Sequence, residues 1–288
     1  MWVLFAFGSA LFAGLTAILS KIGIRNTDSN VATALRTIVV LLFSWLMVFI
    51  AGSQNTISEI SSKTLLFLIL SGIATGASWL CYFKALQLGD VNKVTPVDKS
   101  STVLTMVLAI IFLGESLTVI KSLSILLIGV GTYLMIYTKK VPESKGSAGG
   151  IMWFLYAIGS AVFAGVTSIL GKVGIQGVES NLGTSIRTIV VLLMAWMVVF
   201  ITGKQSTIKN IDTKSWVYLL LSGFATGGSW LCYYRALQDG PASIIVPIDK
   251  LSILITITFS YLFLKEKISK KSALGLILFV VGTLILLV

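Results

Sequence analysis

"SWLCYFKALQ", residues 78–87, returns as "SWLCYYRALQ" at residues 229–238, in both places inside a stretch that is otherwise nearly all apolar. The recurrence is not local. At one constant offset of 151 residues, and without a gap, Trp2 matches Trp153, Arg36 matches Arg187, Lys84 matches Arg235 and Asp98 matches Asp249. Self-similarity at a fixed period marks a repeat architecture, and here the repeating unit is half of the chain. Each copy carries a basic residue, Lys84 or Arg235, within its apolar run, and the fold and function both turn on why.

The composition sets the solvent. In 288 residues, 56% are hydrophobic and only 11% charged, with a mean hydropathy of +0.97, which describes a polytopic membrane protein and not a soluble domain. A net charge of +11 would suit nucleic acid, but the lysines lie between apolar runs and not in basic tracts interleaved with aromatics, so no nucleic-acid partner is expected. Cys81 and Cys232 sit in apolar segments with no Cys-x-x-Cys pattern, and the chain has no histidine, so neither a metal site, a cofactor nor a Cys/His nucleophile is expected. The first segment opens on Trp2 with no charged leader and reads as a retained span.

Apolar runs long enough to cross about 30 Å of hydrocarbon number ten. They are 2–20, 32–50, 65–88, 96–113 and 117–137, then 153–171, 182–201, 216–237, 247–264 and 268–287. Lipid requires every backbone group to bond internally, and the alternation of barrel strands is missing, so the spans read as helices. The expected organisation is a first repeat over 1–138, a Gly/Ser/charge-rich linker over 139–151 ("KKVPESKGSAGG" at its core) and a second repeat over 152–288. Five spans per repeat is an odd number, so the chain enters the second copy from the opposite side of the membrane. The fold class is therefore all-α integral membrane, ten transmembrane helices as two inverted five-helix repeats.

The charges give an independent reading of orientation. Ten of the 22 Lys and Arg are matched between halves and cancel; of the remaining twelve, eleven (Arg25, Lys93, Lys139, Lys140, Lys145, Lys204, Lys209, Lys265, Lys267, Lys270, Lys271) fall on the side opposite Met1, and only Lys121 falls with it. By the positive-inside rule the linker side is cytoplasmic and both termini face out.

Five-span repeats in tandem, each with a third segment of the form YxxALQxG (Tyr82 to Gly89, Tyr233 to Gly240) and, in the first, a fourth ending "FLGE" (Phe112 to Glu115), resemble the EamA-type drug/metabolite transporter superfamily over essentially the whole chain. The second half has "LKE" (Leu264 to Glu266) at the corresponding place. The resemblance implies a ten-helix exporter or exchanger of small metabolites in the plasma membrane, with a central cavity between repeats. It also implies cytoplasmic termini, against the charge count. Each half further resembles single-repeat, dual-topology members that would dimerise antiparallel.

The candidate site residues come in pairs. Arg36 and Arg187 stand about 9 Å inside their helices, where a guanidinium needs a partner or water, so they either line a cavity or else snorkel or pair structurally. Lys84 and Arg235 lie about a turn from their helix ends, where they either snorkel to the headgroups or hold an anionic substrate. Asp98 and Asp249, in "TPVDKSS" and "VPIDKLS", are either proton-coupling carboxylates or third residues of helices that start at Pro96 and Pro247, stabilising the free N–H groups there. The adjacent Lys99 and Lys250 are expected at the interface. Trp79, Tyr82, Trp230 and Tyr233 offer apolar contact and hydroxyls to a cavity, or else form an interfacial belt. Glu115 and Glu266 fall at short turns, and small-residue stripes such as Gly72 with Gly76 and Gly223 with Gly227 read as helix-packing faces.

These features point to a secondary-active transporter that moves a small zwitterionic or anionic metabolite, such as an amino acid, by alternating access between inverted repeats. Its partners would be a small-molecule substrate and the bilayer, with proton coupling through the aspartates and no oligomer required. The alternatives are a lipid flippase or headgroup-binding membrane protein, and behind it a cationic drug exporter.

Overall fold

The computed structural model describes residues 1–136, 151–263, 265 and 268–288. Residues 139–150 of the expected linker, with Lys139, Lys140 and Lys145, lie outside the described residues, as do Glu266 and Lys267. Among the described residues all regular structure is helical. The first repeat contributes α1 (Trp2–Gly23), α2 (Ser29–Ala51), α3 (Ser62–Leu88), α4 (Val91–Lys99), α5 (Ser101–Leu113) and α6 (Val119–Ile136). The second contributes α7 (Met152–Ile175), α8 (Ser180–Ile201), α9 (Thr213–Asp239), α10 (Ala242–Lys250), α11 (Ser252–Phe263) and α12 (Lys270–Leu284). The pairs α4/α5 and α10/α11 each form one interrupted span, Val91–Leu113 and Ala242–Phe263. Nine described spans are long and apolar enough to cross a membrane. The tenth is α9, whose 27 residues equal its counterpart α3 in length but include more hydroxyl, glycine and charged side chains.

Local chemistry fixes the ends of these helices. The Asp28 carboxylate accepts from the N–H groups of Asn30 and Val31 at the start of α2, and Glu179 does the same for Asn181 and Leu182 at the start of α8. Lys21 Nζ donates to the carbonyls of Leu86 and Gly89 at 2.6 and 2.8 Å, and Lys172 donates to those of Leu237 and Gly240 at 2.5 and 2.9 Å. These two matched lysines therefore satisfy the orphan carbonyls at the ends of α3 and α9. Gln87 and Gln238, the last residues of the quoted motif, donate to the carbonyls of Thr27 and Val178, tying the same helix ends to the turn after each repeat's first helix.

Packing between repeats reveals their relative direction. Along α1 and α9, Ser9 lies beside Ser229, Thr16 beside Thr226 and Gly23 against Leu219, so the helices run antiparallel. Along α7 and α3, Ser160 meets Ser78, Thr167 meets Thr75 and Gly174 meets Leu68 in the same sense. The counterpart helices α6 and α12 are themselves antiparallel, since Ser124 donates to the Gly282 carbonyl at 2.5 Å and Ser272 to that of Met135 at 3.1 Å. Equivalent helices running in opposite directions make the two repeats inverted, as their odd span count predicts.

Small residues permit these close approaches. A Cβ added to Gly72 would lie 2.9 Å from the carbonyl oxygen of Arg187, and one added to Gly223 would lie 3.0 Å from that of Arg36. The two glycines thus let α8 press on α3, and α2 on α9, at the level of each arginine.

Candidate functional site

A cavity of about 130 Å³ lies where the repeats meet, far above the ~10–15 Å³ one water requires. Eight identical pairs line it from both repeats: Ala13 and Ala164, Thr16 and Thr167, Thr75 and Thr226, Ser78 and Ser229, Trp79 and Trp230, Tyr82 and Tyr233, Asp98 and Asp249, Lys99 and Lys250. On α3 the set Thr75, Ser78, Trp79 and Tyr82 follows the i, i+3, i+4, i+7 spacing of one helix face, and α9 repeats it. The two indoles meet edge to face with centroids 5.5 Å apart.

The interrupted spans deliver the carboxylates. Helix α4 starts at Val91 and α10 at Ala242, five residues before the prolines expected to open them. Asp98 and Asp249 therefore are not first-turn residues but stand near the ends of the half-helices, buried, beside the breaks at Ser100 and Leu251. Each proline removes one backbone N–H from its helix, and the chain breaks within a turn of it. Ser160 of α7 donates to Asp98 Oδ1 at 2.7 Å, and Ser9 of α1 donates to Asp249 Oδ1 at 2.5 Å. Each carboxylate is thus held by a serine of the other repeat. Lys99 Nζ lies 3.8 Å from Asp98 Oδ2, and Lys250 Nζ lies 3.4 Å from Asp249 Oδ2. Both lysines line the cavity, which corrects their expected interfacial placement.

The arginines occupy equivalent but unequal positions. Arg36, 2% exposed, donates from Nε to Ser222 Oγ and from Nη2 to Thr226 Oγ1 at 2.6 Å, and its guanidinium lies 4.2 Å from the Phe83 ring centroid. Arg187 donates to Ser71 Oγ and Thr75 Oγ1 at 2.9 and 2.6 Å and stacks on Tyr234 and Trp230 at 4.0 and 4.9 Å. Hydroxyls and π faces replace a carboxylate in both sites, an arrangement that desolvated guanidinium tolerates. Arg36 and Phe83 line the cavity, whereas Arg187 lies behind the rings of Trp230 and Tyr234.

Lys84 and Arg235 do not reach the cavity. Lys84 Nζ donates to Gln87 Oε1 at 3.0 Å, and Arg235 Nε pairs with Asp239 at 3.4 Å with both side chains well exposed. Two residues beyond Tyr82 or Tyr233 is about 200° around a helix, so a basic residue there points away from the site. The matched base in the opening motif is therefore a peripheral charge, and the motif's contribution to the cavity is its Ser, Trp and Tyr.

Among the site residues that the sequence reading missed are Ser9, Ser160, Lys99 and Lys250. A usable signal existed, since all four are identical between the halves at the 151 offset. Among the described residues no group of three metal-ligating side chains occurs.

The model of the EamA-like transporter family matches residues 1–137 and again 151–288. The chain belongs to that family. It is a multi-pass membrane transporter of the drug/metabolite superfamily, as the repeat motifs suggest. An uncharacterised transporter of Sinorhizobium sp., named for the cobO 3′ region, is 44% identical over 134 residues, which are 46% of this chain and 95% of that protein. That relative is thus about one repeat long. An uncharacterised protein of Methanocaldococcus jannaschii is 36% identical over 104 residues, 33% of this chain and 75% of its own length. A crystal structure of a protein 16% identical aligns over 99% of this chain and 96% of its own with a TM-score of 0.72, which shows the same fold.

Proposed function

We propose that this EamA-family transporter moves a small anionic or zwitterionic metabolite, an amino acid or organic acid, through the central cavity by alternating access. The observation that carries this reading is the charge of the lining: Arg36, Lys99 and Lys250 against Asp98 and Asp249, one positive charge in excess inside a desolvated site. Buried charge is costly unless compensated, and a substrate carboxylate would complete the balance. The aromatic pairs Trp79/Trp230 and Tyr82/Tyr233 would receive the rest of the solute.

The repeats, 1–138 and 152–288, would rock about the shared cavity so that it opens to one side and then the other. Asp98 and Asp249 are the coupling groups, each able to exchange its serine and lysine contacts for a proton as the half-helices move. By the positive-inside rule, the excess of lysine and arginine on the linker side supports a cytoplasmic linker and termini outside.

Uptake of radiolabelled amino acids and organic acids into liposomes, with and without a pH gradient, tests the reading. Saturable movement of such a solute, lost in Asp98→Asn with Asp249→Asn, is expected. Movement of lipophilic cations alone, or of fluorescent phospholipid alone, would overturn it, and a C-terminal reporter active only in the cytoplasm would overturn the orientation.

A further inference from the structure

Lys99 and Lys250 are the last residues of α4 and α10, one from each repeat, and both open onto the same cavity. The C-terminal end of a helix carries partial negative charge, and each lysine has an aspartate beside it, so both can be held as ammonium groups in the interior. Their hydrogen-bonding capacity is not consumed there. Each ammonium has three donors, yet its ion-pair contact with the neighbouring aspartate is 3.8 or 3.4 Å, longer than a charge-assisted hydrogen bond, and neither donates a hydrogen bond to a described residue. The aspartates are meanwhile engaged by Ser160 and Ser9. Asp98 and Asp249 line the same cavity, so the lysines keep their counter-charges close while their donors stay open to the space.

Arg36 is the contrasting case. Its Nε and Nη2 donors are committed to Ser222 and Thr226 and its face to Phe83, so the guanidinium is already satisfied by protein. Two ammonium groups with unused donors, one from each repeat and both facing one space of about 130 Å³, make a seat for one small anion that accepts from both.

We propose that Lys99 and Lys250 together seat the carboxylate of the transported solute, an inference that rests on the function proposed above and assigns its anion site. One lysine comes from each repeat, so the seat spans the pseudo-two-fold axis, and each half-helix keeps one hand on the carboxylate whichever side opens.

The test is thermal unfolding of the purified full chain at constant ionic strength with acetate, glycine or methylammonium, comparing wild type with K99M, K250M, K99M/K250M, K99R/K250R and R36Q. Acetate and glycine should raise the midpoint of the wild type. Each single Met variant should weaken that effect at least tenfold, the double variant should abolish it, and the Arg pair should retain it. Where the double variant does not run as one species in size exclusion, K99Q and K250Q carry the same comparison. An undiminished carboxylate effect in the Lys variants, with loss in R36Q, would overturn the lysine seat and leave the anion-transport reading standing. A shift with methylammonium alone, or none with any carboxylate, would overturn both.

Discussion

Glu115 provides a sharp test of how the repeats hold together. It follows α5 in the first repeat, yet its Oε1 accepts from the N–H of Ala242 at 2.8 Å, its Oε2 lies 3.3 Å from both the N–H of Ser243 and Lys121 Nζ, and the Ser243 hydroxyl donates to it as well. The carboxylate thus caps α10 of the other repeat, on the side of the membrane carrying Met1. In the rocking proposed above, opening toward that side would break this contact. In Glu115→Gln one oxygen acceptor remains, but the charge facing two amide donors, the helix dipole and Lys121 is lost. Hydrogen bonds to a charged group are worth about 1.5–3 kcal/mol, and the pair is nearly buried, with 12% exposure at Glu115, so a loss of about 2 kcal/mol is expected. At 1.36 kcal/mol per decade that is roughly a 30-fold increase in the opening equilibrium of the α10 N-terminus. Hydrogen–deuterium exchange on peptides covering residues 241–250 reads it directly, with the peptide covering residues 91–99 as internal control. Equal acceleration in both peptides would indicate general destabilisation, and unchanged exchange at 241–250 would refute the latch.

Two further outcomes follow from single positions. Lys265 has φ 56°, the left-handed conformation that its repeat counterpart Gly114 adopts at φ 66°, so Lys265→Gly should stabilise the protein by about 1 kcal/mol and Gly114→Lys should destabilise it comparably, read as opposite shifts in the thermal midpoint. Asp212 accepts from the N–H of Ser215, and this bond holds its carboxyl below the ordinary aspartate value. A depressed carboxyl contributes stability that is present above its unfolded value, about 3.9, and lost as pH falls through the lower folded value, so Asp212→Asn should lower the midpoint at pH 6 and lose its effect as pH drops below that folded value. A deficit that persists undiminished at low pH would exclude the cap as its cause.

Much of the fold was legible because the bilayer simplifies the problem. Span length, the linker's composition and the parity argument together predict inverted five-span repeats, and the antiparallel α6 and α12 agree. The start of the fourth spans was misplaced because Pro96 and Pro247 look like first-turn residues, whereas five residues of each half-helix precede them. That displacement removes the first-turn alternative for Asp98 and Asp249 and moves Lys99 and Lys250 from the expected interface into the cavity. The site itself was half readable. The Thr75, Ser78, Trp79, Tyr82 stripe carries its helical period openly, and Lys84 falls off that stripe by the same arithmetic. Identity at the 151 offset marks Ser9 and Ser160, but their pairing with the aspartates was not readable, since joining Ser9 to Asp249 across 240 residues depends on how α1 packs against the other repeat.

The differences between the halves say what duplication in one chain makes available. A protein of one-repeat length, such as the Sinorhizobium relative, must present identical residues at both ends of any two-copy assembly. Here Phe83 faces Arg36 where Tyr234 faces Arg187, and Ala17 stands where Ser168 accepts a hydrogen bond from Tyr233 at 2.9 Å. One end of the cavity consequently reaches its arginine, while the other is closed by Trp230, Tyr233 and Tyr234, whose rings pack on one another with centroids 5.1–5.9 Å apart. These substitutions sit at the two ends of the cavity and not on the Asp–Lys pairs, which stay identical. The two halves thus keep the shared centre symmetric and differ at its ends, which in the alternating access proposed above is the condition for the inward- and outward-open states to differ in energy.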